Sequence, residues 1–115
     1  KKNVYYRPWG RYVNLFEGKG FLIKELIIKP KSSLSLQKHY HRAEHWLITG
    51  GFPLVTVDNK VYRKKPNQYV FIKRGSIHRI ENTYKRTVKV IEIQTGLILK
   101  ENDIIRYKDI YDRVK

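Results

Sequence analysis

The stretch LSLQKHYHRAEHWLITG, residues 34–50, places three histidines, a glutamine and a glutamate within nine positions. Its first eight residues alternate in a way that is typical of a β-strand, because successive side chains of a strand point to opposite faces. Leu34 and Leu36 occupy one face, and the other face is polar, with Ser35, Gln37, His39 and His41. Such a face is a metal site, an acid–base apparatus or the polar side of an exposed strand.

Further short runs of alternating or β-branched residues lie on both sides of this stretch, with turn residues after roughly every 8 to 12 positions. They are Phe21–Lys29, His45–Thr49, Leu54–Val57, Val61–Arg63, Gln68–Lys73, Ser76–Glu81 and Thr87–Gln94. The residues Asp58, Asn59 and Lys60 predict a hairpin turn between two of these runs. No run before residue 97 has a helical period, although the tail segment ENDIIRYKDIYDR, residues 101–113, has room for one short helical turn. The pattern predicts one all-β domain, an antiparallel sandwich or a small barrel.

Length and composition exclude several classes of protein. The 115 residues, 41% of them hydrophobic, suffice for one domain with its own core. There is no cysteine, so disulfides and thiolate metal sites are excluded and any metal must be held by nitrogen and oxygen atoms. No apolar run reaches the roughly 20 residues of a membrane span, and no signal-peptide pattern opens the chain. A cytoplasmic protein without membrane contact is therefore expected.

The basic charge of the chain is its other prominent feature, with a formal net charge of +15. The lysines and arginines are spread from Lys1 to Lys115 and form no single tract. No RNA-binding motif and no aromatic–basic stacking motif accompany them. We interpret the charge as a solvated basic surface and expect no specific nucleic-acid partner.

Two distant groups of residues follow a fixed spacing that resembles the two-part cupin signature, G-x5-H-x-H-x4-E-x6-G and G-x5-P-x-G-x2-H-x3-N. Six positions agree with this signature, namely His39, Glu44, Gly51, Gly75, His78 and Asn82. Four positions depart from it, namely Lys31, Gln37, Asn67 and Lys73. Amide oxygen, imidazole nitrogen and carboxylate oxygen suit a divalent ion such as Zn²⁺, Mn²⁺ or Fe²⁺. The spacing therefore favours a metal site over polar decoration.

Longer segments resemble the type II mannose-6-phosphate isomerase domain, the cupin half of bifunctional mannose-1-phosphate guanylyltransferase/mannose-6-phosphate isomerases. The segments are RPWG (7–10), GKGF (18–21), KPKSSLSLQKHYHRAEHWLITG (29–50), RGSIHRIEN (74–82) and VIEIQTG (90–96). The resemblance implies a single-domain cupin, a double-stranded β-helix or jelly-roll barrel, over residues 1–115. We expect an N-terminal arm over residues 1–20, the barrel over residues 21–96 and a C-terminal tail over residues 97–115.

The same resemblance implies a function and a ligand set. It implies a metal-dependent isomerase that interconverts mannose 6-phosphate and fructose 6-phosphate through an enediol, in the route to GDP-mannose. The implied metal ligands are Gln37, His39, Glu44 and His78, with zinc as the expected ion. The guanylyltransferase activity of the family resides in a nucleotidyltransferase domain, which we expect in a longer or a separate chain. These 115 residues contain no Gly-rich nucleotide-binding loop.

The remaining polar residues supply candidates for proton transfer and for phosphate binding. His41 continues the phase of His39, and His45 adjoins Glu44 although alternation points it away, so both are candidate catalytic bases. Arginine and lysine suit the substrate phosphate, and the candidates nearest to the two motifs are Arg42, Lys73 and Arg79.

Two other classes of function and one assembly state stay open at this point. The first class is a non-catalytic sugar-binding cupin, which keeps the metal and the pocket but moves no proton. The second is another small-molecule cupin enzyme, either epimerase-like or a metal-dependent oxygenase. Because small cupins often associate through their sheets, a homodimer is expected.

Overall fold

The computed structural model describes residues 3–97 and 99–108. Within these ranges the chain forms twelve β-strands. They are β1 (Asn3–Arg7), β2 (Gly10–Gly18), β3 (Phe21–Ile28), β4 (Ser32–Ser33), β5 (Leu36–Lys38), β6 (Ala43–Gly50), β7 (Leu54–Val57), β8 (Lys60–Arg63), β9 (Tyr69–Ile72), β10 (His78–Asn82), β11 (Val88–Thr95) and β12 (Ile105–Lys108). No helix in these ranges has the length and apolar character that a membrane crossing needs.

The strands form two antiparallel sheets. The first sheet has the order β1-β2-β3-β11-β6-β9, and the second has the order β12-β5-β10-β7-β8, with β4 also paired to β10. The orders skip along the sequence, so residues far apart in the chain become neighbours, as His78 on β10 and Gln37 on β5 do. This all-β jelly-roll arrangement confirms the predicted fold class.

The predicted strands after residue 20 are found, with one exception in length. The predicted hairpin is confirmed, because β7 and β8 pair around a turn at Asp58, whose φ of 53° lies in the left-handed region that aspartate tolerates. The strand predicted from Leu34 to His41 is shorter, because β5 ends at Lys38. His41 therefore does not continue the alternation of the strand.

Both ends of the described chain contain strands that the sequence pattern did not predict. The N-terminal arm expected over residues 1–20 contains β1 and β2, which are regular strands of the first sheet, and β2 pairs with β3 along most of its length. The tail segment 101–113 has room for one short helical turn by its sequence, and the structure shows β12 (Ile105–Lys108) there, paired with β5. Residues 109–113 of that segment lie outside the described residues. Local composition did not reveal either pairing, because a strand partner is chosen by tertiary contacts.

The space between the sheets is apolar at one side and polar at the other. The apolar cluster holds Trp9, Tyr12, Leu26, Ile28, Trp46, Ile48, Val55, Val70, Ile72, Ile80, Val88 and Val90. Residues that lie side by side on β3, β11 and β6 form three neighbouring rows across the sheet. From the apolar towards the polar side, the rows are Leu26–Val90–Ile48, Lys24–Glu92–Trp46 and Leu22–Gln94–Glu44. Along the direction of the strands, the apolar core is therefore followed by a polar cavity.

Candidate metal and substrate site

Three buried side chains from separate strand regions converge in this cavity. His39 follows β5, Glu44 lies on β6, and His78 begins β10. One ligand atom of each lies within 4.8 Å of the others, and all three residues are buried. His39 Nε2 is 3.0 Å from Glu44 Oε2, and His78 Nε2 is 3.8 Å from Glu44 Oε1. Ligand atoms bound to one zinc ion lie roughly 3–4 Å apart, so the group has the spacing of a metal site.

Hydrogen bonds fix both imidazole rings in the form that a metal requires. His39 Nδ1 is 2.6 Å from the carbonyl oxygen of Asp103, and His78 Nδ1 is 3.0 Å from the carbonyl oxygen of Ser76. A carbonyl oxygen only accepts, so Nδ1 of each ring carries the hydrogen and donates it. The lone pair of each ring is then on Nε2, the atom that faces Glu44.

Gln37 lines the same cavity beside this group. It is buried and lies opposite His78 in the register of β5 and β10. Its amide nitrogen donates to the carbonyl oxygen and to Oγ of Ser35, at 3.3 and 3.2 Å. The amide oxygen is then the atom that Gln37 offers to a cation. The four residues predicted as metal ligands are therefore brought together around one cavity.

The electrostatics of the group keep its ligands in their metal-binding forms. Burial raises the pKa of Glu44, but the positive charge of Arg42, whose Nε donates to Glu44 Oε2, opposes burial, and the pKa lies well below its usual range. Burial lowers the pKa of His78 and keeps its ring neutral. The indole Nε1 of Trp46 also donates to Glu44 Oε1, at 3.1 Å. The carboxylate is thus ionised and oriented from two sides.

Arg42 reaches into the cavity and touches the ligand group directly. Its Nε donates to Glu44 Oε2 at 2.9 Å, and its Nη2 is 3.0 Å from His39 Nε2. Its Nη1 is buried and has no hydrogen-bond partner among the residues that the structure describes. The guanidinium group therefore has donor capacity left for a ligand in the cavity.

The predicted phosphate residues divide between the cavity and the surface. Arg42 and Arg79 line the cavity, whereas Lys73 is exposed and does not. Arg79 Nε is also 3.3 Å from Glu81 Oε2. Further cations line the cavity, namely Arg7, Lys24 and Arg106. Sequence reasoning missed them, because they come from β1, β3 and β12, which carry neither motif.

The C-terminal segment completes the site, which the sequence analysis did not foresee. The carboxylate of Asp103 accepts the backbone N–H groups of Tyr40 and His41, at 3.0 and 2.9 Å. Its own carbonyl oxygen accepts a hydrogen bond from His39, as described above. Asp103 therefore makes three hydrogen bonds to residues 39–41, which we call the ligand loop. Nearby, Glu101 Oε2 is 2.7 Å from Lys24 Nζ. The pair Ile104-Ile105 is the only signal of a strand in this segment, and it is too short to predict a partner.

The two histidines predicted as catalytic bases lie outside the cavity. His41 is exposed, so the expectation that it shares the inward face of His39 is wrong, for the reason that β5 ends before it. His45 sits on the outer face of β6, where its Nδ1 contacts Tyr69 Oη and its ring packs on Phe71. Neither residue lines the cavity that holds the ligand group.

Comparisons of sequence place this chain beside enzymes and proteins of sugar metabolism. A family model described as "Mannose-6-phosphate isomerase C-terminal" matches residues 1–109. The alginate biosynthesis protein AlgA of Pseudomonas putida is 44% identical over 108 residues, which are 94% of this chain and 22% of that protein. The mannose-1-phosphate guanylyltransferase ManC of Salmonella typhimurium is 38% identical over 109 residues, which are 95% of this chain and 23% of that protein. The chain thus spans less than a quarter of the length of these relatives.

Comparisons of structure support the fold alone, because the sequence identities are low. The cupin domain of Schizosaccharomyces pombe Cnp3 superposes with a TM-score of 0.72 at 20% identity, over 75% of this chain and 64% of that one. The capsular polysaccharide assembling protein CapF of Staphylococcus aureus gives a TM-score of 0.81 at 17% identity, over 94% of this chain and 34% of that one. The two-sheet architecture is therefore that of a cupin.

Proposed function

Because the chain belongs to the family of mannose-6-phosphate isomerase C-terminal domains, we propose that it is a metal-dependent isomerase of mannose 6-phosphate and fructose 6-phosphate. The observation that carries the proposal is one cavity in which a buried His/Glu/His group adjoins arginine side chains. A sugar phosphate offers carbonyl and hydroxyl oxygens to a metal and a phosphate group to guanidinium donors. A single substrate of this kind satisfies both parts of the cavity.

The donor set fits a divalent cation, and we propose zinc. Gln37, His39, Glu44 and His78 would hold the ion, through an amide oxygen, two imidazole nitrogens and a carboxylate. When bound, the ion supplies Lewis-acid polarisation of the sugar carbonyl and stabilises the charge of an enediolate. The carbonyl oxygens of Asp103 and Ser76 keep both Nε2 lone pairs available for it.

Arg42 and Arg79 are proposed to bind the phosphate group. In the structure, Nη2 of Arg42 uses the Nε2 lone pair of His39 as its acceptor. A cation on His39 needs that same lone pair, so Nη2 must then find another acceptor. A phosphate oxygen supplies one, and Nη1 has no partner among the described residues to compete with it. Lys73 is not included, since it lies on the surface.

We limit the proposal to the isomerase reaction. The relatives are more than four times as long as the matched segment. We assign the nucleotidyl transfer in the name of ManC to the part of that protein outside the match. Accordingly, we expect no formation of GDP-mannose from mannose 1-phosphate and GTP by this chain.

The proposal is tested by preparing the chain without metal and then adding back one equivalent of Zn²⁺, Mn²⁺ or Fe²⁺. Formation of fructose 6-phosphate from mannose 6-phosphate should be absent in the metal-depleted protein and should return with at least one of the ions. Binding of mannose 6-phosphate is followed in parallel by calorimetry. A metal-loaded protein that binds the sugar phosphate without converting it would identify a sugar-binding cupin and refute the isomerase.

A further inference from the structure

The structure removes both predicted histidine bases from the cavity, so another group has to move the proton. Four side chains that line the cavity can change their protonation state without being proposed metal ligands: Tyr12, Lys24, Glu92 and Glu101. Arginines are excluded, because they keep their proton at any ordinary pH. The base is therefore sought among these four.

Three of the four groups are unsuited to the task. Burial raises the pKa of Tyr12 to about 12, so its hydroxyl keeps its proton near neutral pH. Lys24 is engaged by Glu101, because its Nζ donates a hydrogen bond to Glu101 Oε2 at 2.7 Å. The positive charge of Lys24 lowers the pKa of Glu101 despite partial burial, which makes this carboxylate a weak base. Glu92 is the group that remains.

Glu92 has the surroundings of a reactive carboxyl group. It is 4% exposed and lies in the middle of β11, opposite Lys24 on β3 and Trp46 on β6. Its Oε2 accepts a hydrogen bond from Gln94 Nε2 at 2.6 Å. Burial and the charge of Glu44 raise the pKa of Glu92 towards the range in which a carboxylate is an effective base.

The register of the sheet sets the distance from Glu92 to the ligand group. Gln94 lies directly opposite Glu44, and Glu92 is two residues along the same face of β11. Glu92 and Glu44 are therefore diagonal neighbours, whose Cα atoms are roughly 7–8 Å apart in a sheet. When a sugar oxygen is held near Glu44, the carbon atom bonded to it lies between the carboxyl groups of Glu44 and Glu92. The C1–C2 unit of a sugar phosphate has this size.

We propose that Glu92 is the catalytic base that carries the proton between C1 and C2 of the sugar phosphate, an inference that rests on the proposed isomerase function. Oε1 of the carboxylate takes the hydrogen from C2 of the open-chain aldose, and the C2–H electron pair becomes the C1=C2 double bond while the carbonyl pair moves to O1. The proton on O2 passes to O1, the Glu92 carboxyl returns its proton to C1, and C2=O forms. The sum is the ketose, with no other reactant consumed.

The test compares Glu92→Gln and Glu92→Asp with the unaltered, metal-loaded chain. Glu92→Gln keeps the shape and the contact with Gln94 but removes the base, so turnover should fall by roughly 10²- to 10⁴-fold. Metal stoichiometry and the Kd for mannose 6-phosphate should stay within about threefold. In D₂O, the unaltered chain should place deuterium at C1 of fructose 6-phosphate, and Glu92→Gln should exchange almost none. Glu25→Gln, on the outer face of the neighbouring strand, is the matched control and should behave as the unaltered chain.

A Glu92→Gln protein with normal turnover would overturn the inference, as would a loss of activity that only follows lost metal. If Glu92→Gln does not fold, the Glu92→Asp protein provides the test. It should bind metal normally and turn over more slowly, and full turnover would refute the role of Glu92 as the base. Failure of the proposed function has a different signature, because the unaltered chain itself would then form no product.

Discussion

A single residue, His39, shows how much of the site depends on local hydrogen bonding. Its ring is held by the carbonyl oxygen of Asp103 through Nδ1 and meets Glu44 and Arg42 through Nε2. His41, two positions later, has none of these contacts through its ring and is exposed. The difference between the two histidines is one of chain path, which alternation along a strand did not predict.

We expect His39→Ala and His78→Ala each to abolish stoichiometric binding of a divalent ion, since each removes a nitrogen ligand that no neighbour replaces. The β fold should survive, because neither residue belongs to the apolar cluster. Metal content by mass spectrometry and far-UV circular dichroism measure the two effects. His41→Ala is the control and should bind metal like the unaltered chain. Full metal occupancy in the variant that lacks both His39 and His78 would refute the ligand assignment.

Asp103 is expected to act on the metal through the position of His39. Replacing it by alanine removes the acceptor for two backbone N–H groups of the ligand loop, and loss of such an outer contact lowers metal affinity by about 10- to 100-fold. Asp103→Asn keeps one acceptor oxygen and should lose less. Competition with a chromophoric chelator measures the affinity. Asn102→Ala, at an exposed neighbouring position, should have no effect, and an equal loss in both alanine variants would contradict the role of Asp103.

At the scale of elements, the sequence predicted the strands that carry their own pattern and missed those that depend on a partner. The hairpin of β7 and β8 and the ligand strands β6 and β10 were predicted because alternation, turn residues and motif spacing agree there. In contrast, β12 consists of only four residues, which are extended because they pair with β5. The missed strands β1 and β12 also explain the missed cavity residues Arg7 and Arg106. Lys24 was missed although its strand β3 was predicted, since no local signal pointed its side chain inward.

The two motif glycines Gly51 and Gly75 offer a matched test of element packing. Both have positive φ, 77° and 85°, which costs an alanine about 1–2 kcal/mol. A Cβ at Gly51 would lie 2.7 Å from the carbonyl oxygen of Thr87, whereas a Cβ at Gly75 meets nothing within 4 Å. We expect Gly75→Ala to lower the free energy of unfolding by the φ cost alone and Gly51→Ala by about 1–3 kcal/mol more. Denaturant titration measures both, and equal losses would contradict the packing argument.

At the scale of the whole molecule, the net charge of +15 has a partial explanation. Five lysines and arginines line the cavity, which suits a phosphorylated substrate, but they account for only a part of the 25 basic residues. Of the others, those whose side chains the structure describes are exposed or half-buried, in agreement with the even distribution of basic residues along the sequence. The sequence could predict the presence of this charge but not which cations turn inward, because that choice is made by the pairing of the sheets.

We therefore expect binding of DNA to be weak and non-specific. A protein that attracts phosphates only by charge loses affinity steeply as counterions are added. Fluorescence anisotropy with a duplex and a single strand should show any binding at low salt disappear at roughly physiological ionic strength. Tight, sequence-selective binding at that ionic strength would contradict the view that the surface charge is solvated.

The most direct test of the central claim is proton NMR of the zinc-loaded chain with mannose 6-phosphate in D₂O. Isomerisation should make the mannose 6-phosphate signals decline while those of fructose 6-phosphate grow to a fixed ratio, with deuterium entering carbon-bound positions. Addition of a chelator should stop the exchange, and renewed zinc should restart it. An unchanged mannose 6-phosphate spectrum with a fully metal-loaded protein would refute the isomerase function, and an equal rate after complete removal of the metal would refute its dependence on the metal.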